Sequence, residues 1–219
     1  MSSNKSHLSH YLDGPPRQVP GFHDLHKMTQ QLLAERVPNN AHILVLGAGG
    51  GLELEFLAQA QPGWRFAGVD PSAEMLELAK RTTEPYRDRI QFYQGYIDSA
   101  PHLEFDGAIS LLTFHFIAQH QRLETLTQLQ LRLKPNAPLI LAHISFPQSE
   151  SERQLWINRH LTYAGVSSEN RAQSQNAMLN QLSILPPATE EQMLKDAGFS
   201  DIDLFYAGLS FKGWAAYGC

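Results

Sequence analysis

The sequence predicts an α/β fold in which one doubly wound, seven-stranded sheet ends in an antiparallel last strand. Short apolar runs alternate with segments of helical apolar spacing between residues 42 and 146. The last two apolar runs are joined only by Ala207-Gly208-Leu209, whereas a parallel return needs a crossover of about a dozen residues. The final two strands are therefore expected to pair antiparallel, beside a sheet that is otherwise parallel.

The individual elements follow from apolar spacing and from residues that begin or end helices. A cap helix between Gly21 and Arg36 stops at Pro38-Asn39-Asn40, and a capping box at Thr189-Glu190-Glu191-Gln192 opens a late helix that Gly198 ends. Strands are predicted at 42–46, 65–69, 90–93, 105–112, 138–145, 202–206 and 210–217, and the core helices at 52–60, 72–80 and 121–133.

The 219 residues are expected to form a single domain with four parts. These are an N-terminal cap (1–40), a β/α core (41–146), a helical insertion (147–185), and a last helix with a β-hairpin (186–219). The insertion is rich in Gln, Ser, Asn and Arg and leaves strand five at its carboxyl end, where α/β proteins bind ligands. We expect it to form a lid together with residues 1–20; a homodimer interface is the alternative.

Composition excludes several classes of protein. A formal net charge of -5 and a pI near 6.0 give no general attraction to nucleic acid, so RNA is not an indicated partner. The longest apolar stretches are too short to span a bilayer, and residues 1–10 lack the apolar core of an export signal. The single cysteine, Cys219, forms no intrachain disulfide. These features favour a cytoplasmic protein without a membrane partner.

Ten histidines are many for this length. His7 and His10, and likewise His23 and His26, are three residues apart, but their surroundings lack the additional Cys, His or carboxylate ligands that a metal site would need. We therefore expect no metal site, and we expect these histidines to be solvated or to cap helices.

A glycine-rich turn, Gly47-Ala48-Gly49-Gly50-Gly51, follows the first predicted strand. Glycines there let the backbone approach a ligand closely, and the N–H groups that open the next helix favour a carboxylate or phosphate. A dinucleotide-binding turn needs a third glycine where this chain has Leu52, and the lysine of a phosphate-binding P-loop is missing. Dehydrogenases and P-loop proteins are therefore disfavoured.

Asp70 ends the second predicted strand, nineteen residues after Gly51. A carboxylate in that place can accept hydrogen bonds from both hydroxyls of a ribose, which favours a nucleoside ligand. The alternative is that Asp70 only caps a helix beginning at Pro71.

At these motifs the chain resembles class I S-adenosylmethionine-dependent methyltransferases, through VLGAGGG, GVDPSAEML, QGYI and DGAISLLTFHF. The resemblance implies a Rossmann-like fold, S-adenosylmethionine as cofactor and methyl transfer, with a small molecule as the expected acceptor. Val45 stands where many members have an acid, and Tyr96 where many have Asp. The implied cofactor-binding residues are Gly47, Ala48, Gly49 and Gly51 in the loop, Asp70 at the ribose, Pro71 and Met75 at the nucleoside, and Tyr96 and Ile97 beside adenine.

Residues 17–22 and Ala197-Gly198-Phe199 look like the carboxy-S-adenosylmethionine synthase branch, which serves tRNA wobble-uridine modification. That resemblance implies that Phe22 lies over the cofactor, where the branch has tyrosine, that Leu111 replaces an asparagine, and that Arg171 is the one candidate to hold a carboxylate. The alternatives to methyl transfer are therefore synthase-like chemistry and a non-catalytic S-adenosylmethionine-binding protein.

Methyl transfer is an in-line displacement, so aligning the acceptor in a water-poor pocket can supply much of the acceleration. His115 and His143 follow strands four and five, where either can orient an acceptor or take its proton. Structural roles are the alternative for both. The rings of Tyr11, Trp156 and Tyr163 are candidates to hold an apolar acceptor, with packing of the cap as their alternative.

Overall fold

The computed structural model describes residues 14–218 and confirms the predicted fold class. Its strands form one seven-stranded sheet whose order is β3-β2-β1-β4-β5-β7-β6. The first five strands in this order are parallel, and β7 is antiparallel to both β5 and β6. The strands are β1 (His42–Leu46), β2 (Arg65–Asp70), β3 (Ile90–Gln94), β4 (Gly107–Leu111), β5 (Pro138–Ile144), β6 (Phe199–Gly208) and β7 (Phe211–Gly218).

Helices cover both faces of the sheet. They are α1 (Phe22–Ala34), α2 (Leu52–Ala60), α3 (Ala73–Thr82), α4 (Gln119–Gln130), α5 (Glu150–Tyr163), α6 (Ser168–Gln181) and α7 (Pro187–Asp196). Short 3-10 turns lie at Glu84–Arg89, Ile97–Ser99 and Phe114–Phe116. Among the residues 14–218, no helix is both long enough and apolar enough to cross a bilayer.

Successive side chains of each central strand enter two separate apolar layers. In β1, Ile43 and Val45 pack with α1, α2 and the insertion helices, whereas Leu44 and Leu46 pack with α4 and α7. Because both faces are covered, a central strand has no polar face, and it is a continuous apolar run in the sequence. This explains why β1, β4 and β5 could be found from sequence.

The late helix differs from its prediction. It begins at Pro187, with Pro186 at the N-cap and no side-chain cap, so the predicted capping box at Thr189 is wrong. Glu190 instead turns inward, is 1% exposed, and pairs with the fully buried Arg122 of α4. Glu190 is buried because the fully buried Arg122 needs a counter-charge.

The insertion contains α5 and α6, which pack against each other. Their Ile157, Leu161 and Met178 join the apolar layer that includes Phe22 of α1. Of the residues expected to form a lid with them, 14–18 are helical, and residues 1–13 lie outside the described part. The division of the chain into four parts stays a prediction.

Candidate active site

A cavity of about 1550 Å³ opens at the carboxyl edge of the sheet, above the ends of β1, β2, β4 and β5. A pocket for one small ligand typically measures about 300–1,000 Å³, so this cavity has room for two. We call one part the loop half, lined by Gly47, Gly49, Glu53, Asp70, Pro71, Met75, Tyr96 and Ile97. We call another part the histidine chamber, lined by His115, Ile144, His160, Met178, Leu182 and Phe211.

The glycine loop folds onto the end of β2. The N–H groups of Gly47 and Ala48 both donate to the carbonyl of Val69, at 2.8 and 3.0 Å. Gly47 has φ +81°, and a Cβ there would lie 2.0 Å from Thr113 Oγ1. A side chain at Gly47 is therefore excluded on two counts, and the bare backbone faces the cavity.

Two predicted loop contacts are not at the cavity. Ala48 is fully buried, and its Cβ packs 3.1 Å from the place where a Cβ on Gly68 would stand. Gly51 is buried with φ +82°, and a Cβ on it would lie 3.0 Å from Ala79 Cα. Ala48 and Gly51 serve close packing of the loop against β2 and α3, because neither lines the cavity.

The carboxylate of Asp70 is held by two backbone donors. Gly49 N donates to one oxygen at 3.0 Å, and Ser72 N donates to the other at 2.9 Å. The N-cap of α3 is Ser72, whose Oγ accepts from Met75 N, so the alternative of Asp70 as the cap is wrong. Each carboxylate oxygen keeps a further lone pair, and Asp70 lines the cavity, so the carboxylate is oriented to accept two more hydrogen bonds there.

Glu53, which the sequence analysis did not single out, also lines the loop half. It stands in the first turn of α2, and within the described residues its carboxylate accepts only from its own backbone N–H. Burial, together with the charge of Asp70, raises the pKa of Glu53 to about 8. A carboxylate placed this way suits an ammonium group. The signal in the sequence was an acid two residues after the glycine loop.

At the far end of the loop half, Tyr96 and Ile97 both line the cavity as predicted positions for adenine. Tyr96 is 71% exposed, whereas Ile97 is buried in a 3-10 turn. Asp98, two residues after Tyr96, lines the cavity as well. Asp98 therefore supplies an acid close to Tyr96, the position at which many of the methyltransferases that the chain resembles have Asp. Val45, the other departure, is buried inside the sheet.

Phe22 and Leu111 both line the cavity, and both are 6% exposed. Phe22 is the first residue of α1, and Leu111 ends β4; both belong to the same apolar layer. Tyr206 Oη donates to the carbonyl of Pro20 at 2.5 Å, which holds the segment before Phe22 against β6.

His115 lines the histidine chamber as a neutral ring. Its Nδ1 accepts from Ile144 N at 3.4 Å, which leaves the proton of the neutral ring on Nε2. Burial lowers the pKa of His115 to about 3, with smaller contributions from Arg122 and His160. His115 is therefore suited to donate a hydrogen bond rather than to take a proton.

His143 does not reach the cavity, so its predicted role at the acceptor is not supported. It is fully buried, and Nδ1 donates to the carbonyl of Ile144 at 3.0 Å, while Nε2 lies 3.7 Å from Glu190 Oε2. Burial, then Arg122 and His115, hold its pKa well below the usual range. The physical reason is strand alternation: Ile144 faces the chamber, and its neighbour faces the other layer.

Four histidines that the sequence analysis did not place at the site line the cavity: His26, His102, His120 and His160. His160 of α5 bonds through Nδ1 to Ser210 Oγ at 2.7 Å, and burial lowers its pKa to about 4. His26 of α1 is 5% exposed and donates from Nδ1 to the carbonyl of Phe22 at 2.8 Å, so the prediction of a solvated or capping histidine is wrong for it. The sequence signal for His26 was its position one helical turn after Phe22. The sequence contained no comparable signal for His160.

The aromatic residues and the arginine predicted in the insertion lie elsewhere. Trp156 stacks on Phe146 with ring centroids 6.3 Å apart, and Tyr163 is 46% exposed; neither lines the cavity. Arg171 donates to Asn158 and Thr162 on the surface of α5. Tyr11 lies outside the described residues. The insertion therefore lines the cavity through His160, Met178 and Leu182.

Comparisons with known proteins agree with this geometry. Residues 43–136 match the family model described as a methyltransferase domain. A carboxy-S-adenosyl-L-methionine synthase of Campylobacter jejuni subsp. jejuni is 27% identical over 217 residues, which are 98% of this chain and 92% of that protein.

Two solved structures show the same fold. An O-methyltransferase family protein from Burkholderia thailandensis superposes with a TM-score of 0.66 at 14% identity, over 90% of this chain and 55% of that one. Human N-acetylserotonin methyltransferase in complex with S-adenosylmethionine gives a TM-score of 0.60 at 18% identity, over 87% of this chain and 51% of that one. The chain thus spans about half the length of each. The sheet order, the glycine loop with Asp70 and the methyltransferase-domain match over residues 43–136 make this chain similar to class I S-adenosylmethionine-dependent methyltransferases.

Proposed function

We propose that this chain transfers the methyl group of S-adenosylmethionine to a small-molecule acceptor. The observation that carries the proposal is the carboxylate of Asp70, fixed by Gly49 N and Ser72 N at the edge of the glycine loop. The cofactor, when bound, supplies a methyl group activated by the positive charge on sulfur. The cavity is large enough for a cofactor and an acceptor together.

The loop half offers a donor and acceptor set that fits this cofactor. The backbone of Gly47 and Gly49, which lines the cavity, can approach the methionine part, with Glu53 as the partner of its ammonium group. Asp70 has free lone pairs for the ribose hydroxyls, and Pro71 and Met75 pack against the nucleoside. Tyr96, Ile97 and Asp98 would surround adenine, while Phe22 and Leu111 would lie towards the reacting end.

The chain's contribution to catalysis is positioning and exclusion of water. Displacement at a sulfonium gains from holding the acceptor in line and from a water-poor pocket. The apolar side chains of Ile144, Met178 and Phe211 provide such a surface beside the loop half. With a pKa of about 3, His115 is neutral at physiological pH and serves to orient an acceptor.

Synthase-like chemistry is the second candidate, because the synthase relative covers 98% of this chain. A cofactor carrying an extra carboxylate needs a cation near the sulfur. Among the described residues that line the cavity, Arg132 is the one arginine or lysine, and its guanidinium is bound to Gln128. The carbonyl of Arg132 accepts from Phe105 N. Phe105 precedes the start of β4, so Arg132 lies away from the carboxyl edge of the sheet. Because Arg171 of α6 also lies on the surface, bound to Asn158 and Thr162, methyl transfer is the better supported function.

Titration calorimetry with S-adenosylmethionine and S-adenosylhomocysteine tests the proposal. Both should bind with a dissociation constant of roughly 1–100 μM, and NAD should not compete. Binding of NAD in place of S-adenosylmethionine would overturn the cofactor assignment.

The mass of the nucleoside extracted from purified protein distinguishes methyl transfer from synthase-like chemistry, because only the synthase would carry a carboxylated cofactor. Transfer of a labelled methyl group excludes a purely binding role. A cytoplasmic location stays a prediction.

A further inference from the structure

The histidine chamber has a wall built from five parts of the chain. His115 Nδ1 accepts from Ile144 N, and Ile144 is paired with Phe211 across β5 and β7. The ring of Phe211 lies 5.5 Å from the ring of His160, centroid to centroid. From α6, Met178 lines the chamber, and so does Leu182, next to Ser183, whose N–H donates to the carbonyl of His115.

No ionised group faces this wall in the part of the chain that the structure describes. The acids at the cavity belong to the loop half or to the rim near α4, and Arg132 lies near the start of β4. Arg122 and Glu190 stand behind His115 as a closed pair, and neither lines the cavity. Lys212 binds the carbonyl of Leu209 and lies over the Trp156 ring, outside the chamber. A charged acceptor would therefore be desolvated here without a partner.

The polar atoms that the chamber does offer are those of two neutral imidazoles. His115 presents its Nε2–H because Nδ1 is occupied by Ile144 N. His160 is held at Nδ1 by Ser210 Oγ, which leaves its Nε2 for a ligand. Neutral imidazole nitrogens match one hydroxyl oxygen, and the remaining wall is apolar, with Met178 and Phe211 suited to an aromatic body.

We infer that the methyl acceptor is an uncharged small molecule with an apolar, aromatic body and a hydroxyl group, bound in the histidine chamber with its hydroxyl towards His115 and His160. The inference rests on the proposed methyl transfer. Methylation of such a hydroxyl forms the oxygen–carbon bond as the carbon–sulfur bond breaks with its electron pair on sulfur. The hydroxyl proton leaves to solvent.

Four probes of matched shape test the inference on the full chain saturated with S-adenosylhomocysteine. Methyl 4-hydroxybenzoate is neutral and carries a hydroxyl, methyl benzoate lacks the hydroxyl, 4-hydroxybenzoate is an anion, and tyramine is a cation. At slightly acidic pH, where the phenol keeps its proton, calorimetry should show the two ionic probes binding at least about tenfold more weakly than methyl 4-hydroxybenzoate. Methyl benzoate should bind roughly 2- to 12-fold more weakly, the loss of about one hydrogen bond.

Equal or tighter binding of 4-hydroxybenzoate or tyramine would overturn the inference. Failure of all four probes on protein that binds S-adenosylhomocysteine would also overturn it, while leaving the proposed function intact. Failure to bind S-adenosylhomocysteine would instead refute the proposed function.

Two variants locate the probes in the chamber. Leu182→Arg should raise the affinity for 4-hydroxybenzoate by about tenfold or more, whereas the uncharged Leu182→Gln should not. His160→Phe should reduce the preference for methyl 4-hydroxybenzoate over methyl benzoate, because only His115 then bonds the hydroxyl, and it should leave methyl benzoate bound. A purely structural role of His160 would weaken both esters alike. If a variant does not fold, the wild-type probe series decides the matter.

Discussion

The carboxylate of Asp70 accepts a hydrogen bond from the backbone N–H of Gly49, 3.0 Å away and 21 residues earlier in the chain. Its other oxygen accepts from Ser72 N at 2.9 Å. These two bonds join the end of β2 to the glycine loop and to the start of α3. The carboxylate is therefore oriented before any ligand arrives, so little of the ligand's binding energy is spent on ordering it.

Replacing Asp70 with alanine should weaken S-adenosylhomocysteine binding by about 1.5–3 kcal/mol, the range for hydrogen bonds to a charged group. Asp70→Asn should also weaken it, because Gly49 N and Ser72 N donate to different oxygens, and the NH2 group of asparagine would face one of these two donors. Glu74→Ala is the matched control, since Glu74 is an exposed acid in the first turn of α3 and does not line the cavity. Wild-type affinity in both Asp70 variants, measured by calorimetry, would restrict Asp70 to a structural role.

Cofactor affinity should rise with pH up to about 8, where the pKa of Glu53 lies in the free protein. A bound ammonium group favours ionised Glu53, so binding below that pH releases a proton. Other ionisable groups also line this part of the cavity, among them Asp70 on β2 and His26 on α1. Burial holds the pKa of His26 below 6.5. Calorimetry of S-adenosylhomocysteine in buffers of different ionisation enthalpy measures the released proton.

Two controls isolate this effect of Glu53. Glu53→Gln should remove the pH dependence of binding, and 5′-methylthioadenosine, which lacks the ammonium group, should show none.

The raised pKa also means that ionising Glu53 costs folding stability as pH rises from the ordinary glutamate value towards about 8. Glu53→Gln should therefore raise the Tm of the ligand-free protein more at alkaline than at acidic pH. The same pH slope in wild type and variant would contradict the assignment.

The Arg122–Glu190 pair should be important for stability, because both side chains are almost completely buried. Glu190→Ala leaves the guanidinium of Arg122 without its counter-charge and should cost about 3–5 kcal/mol in the free energy of unfolding. Glu190→Gln keeps an acceptor and should cost less. Glu77→Ala, which removes an exposed pair with Lys80, should have little effect in the same urea titrations. A loss below about 1 kcal/mol for Glu190→Ala would show that the core relaxes around the free arginine.

Hydrogen exchange tests whether α5 and α6 act as a lid. Their helices supply His160 and Met178 to the cavity wall but carry many exposed polar residues. Amides in 147–185 should exchange quickly in the free protein and gain protection when cofactor and acceptor are both bound. Protection that follows protein concentration and ignores ligand would indicate a homodimer interface instead.

Much of the fold and half of the site were open to sequence reasoning because they depend on local rules. β1 and α2 lie where the apolar pattern predicted them, at His42–Leu46 and Leu52–Ala60. The glycine loop needs positive φ at Gly47, and only the residue type records that need. Side-chain roles at helix ends were less predictable: the late helix begins at Pro187, and Glu190, predicted to belong to a capping box, instead pairs with Arg122 in the core.

The sequence by itself determined the sheet, the glycine loop and Asp70, since strand alternation, turn chemistry and chain order specify which edge of a parallel sheet they share. Only the tertiary structure decided what faces the cofactor. His143 and Ile144 are neighbours in β5, and the packing of the sheet sends one into the core and the other to the chamber. His160 and Ser210 are 50 residues apart and meet because α5 packs beside β7. Such contacts depend on how the helices pack against the sheet, which no local sequence pattern predicts.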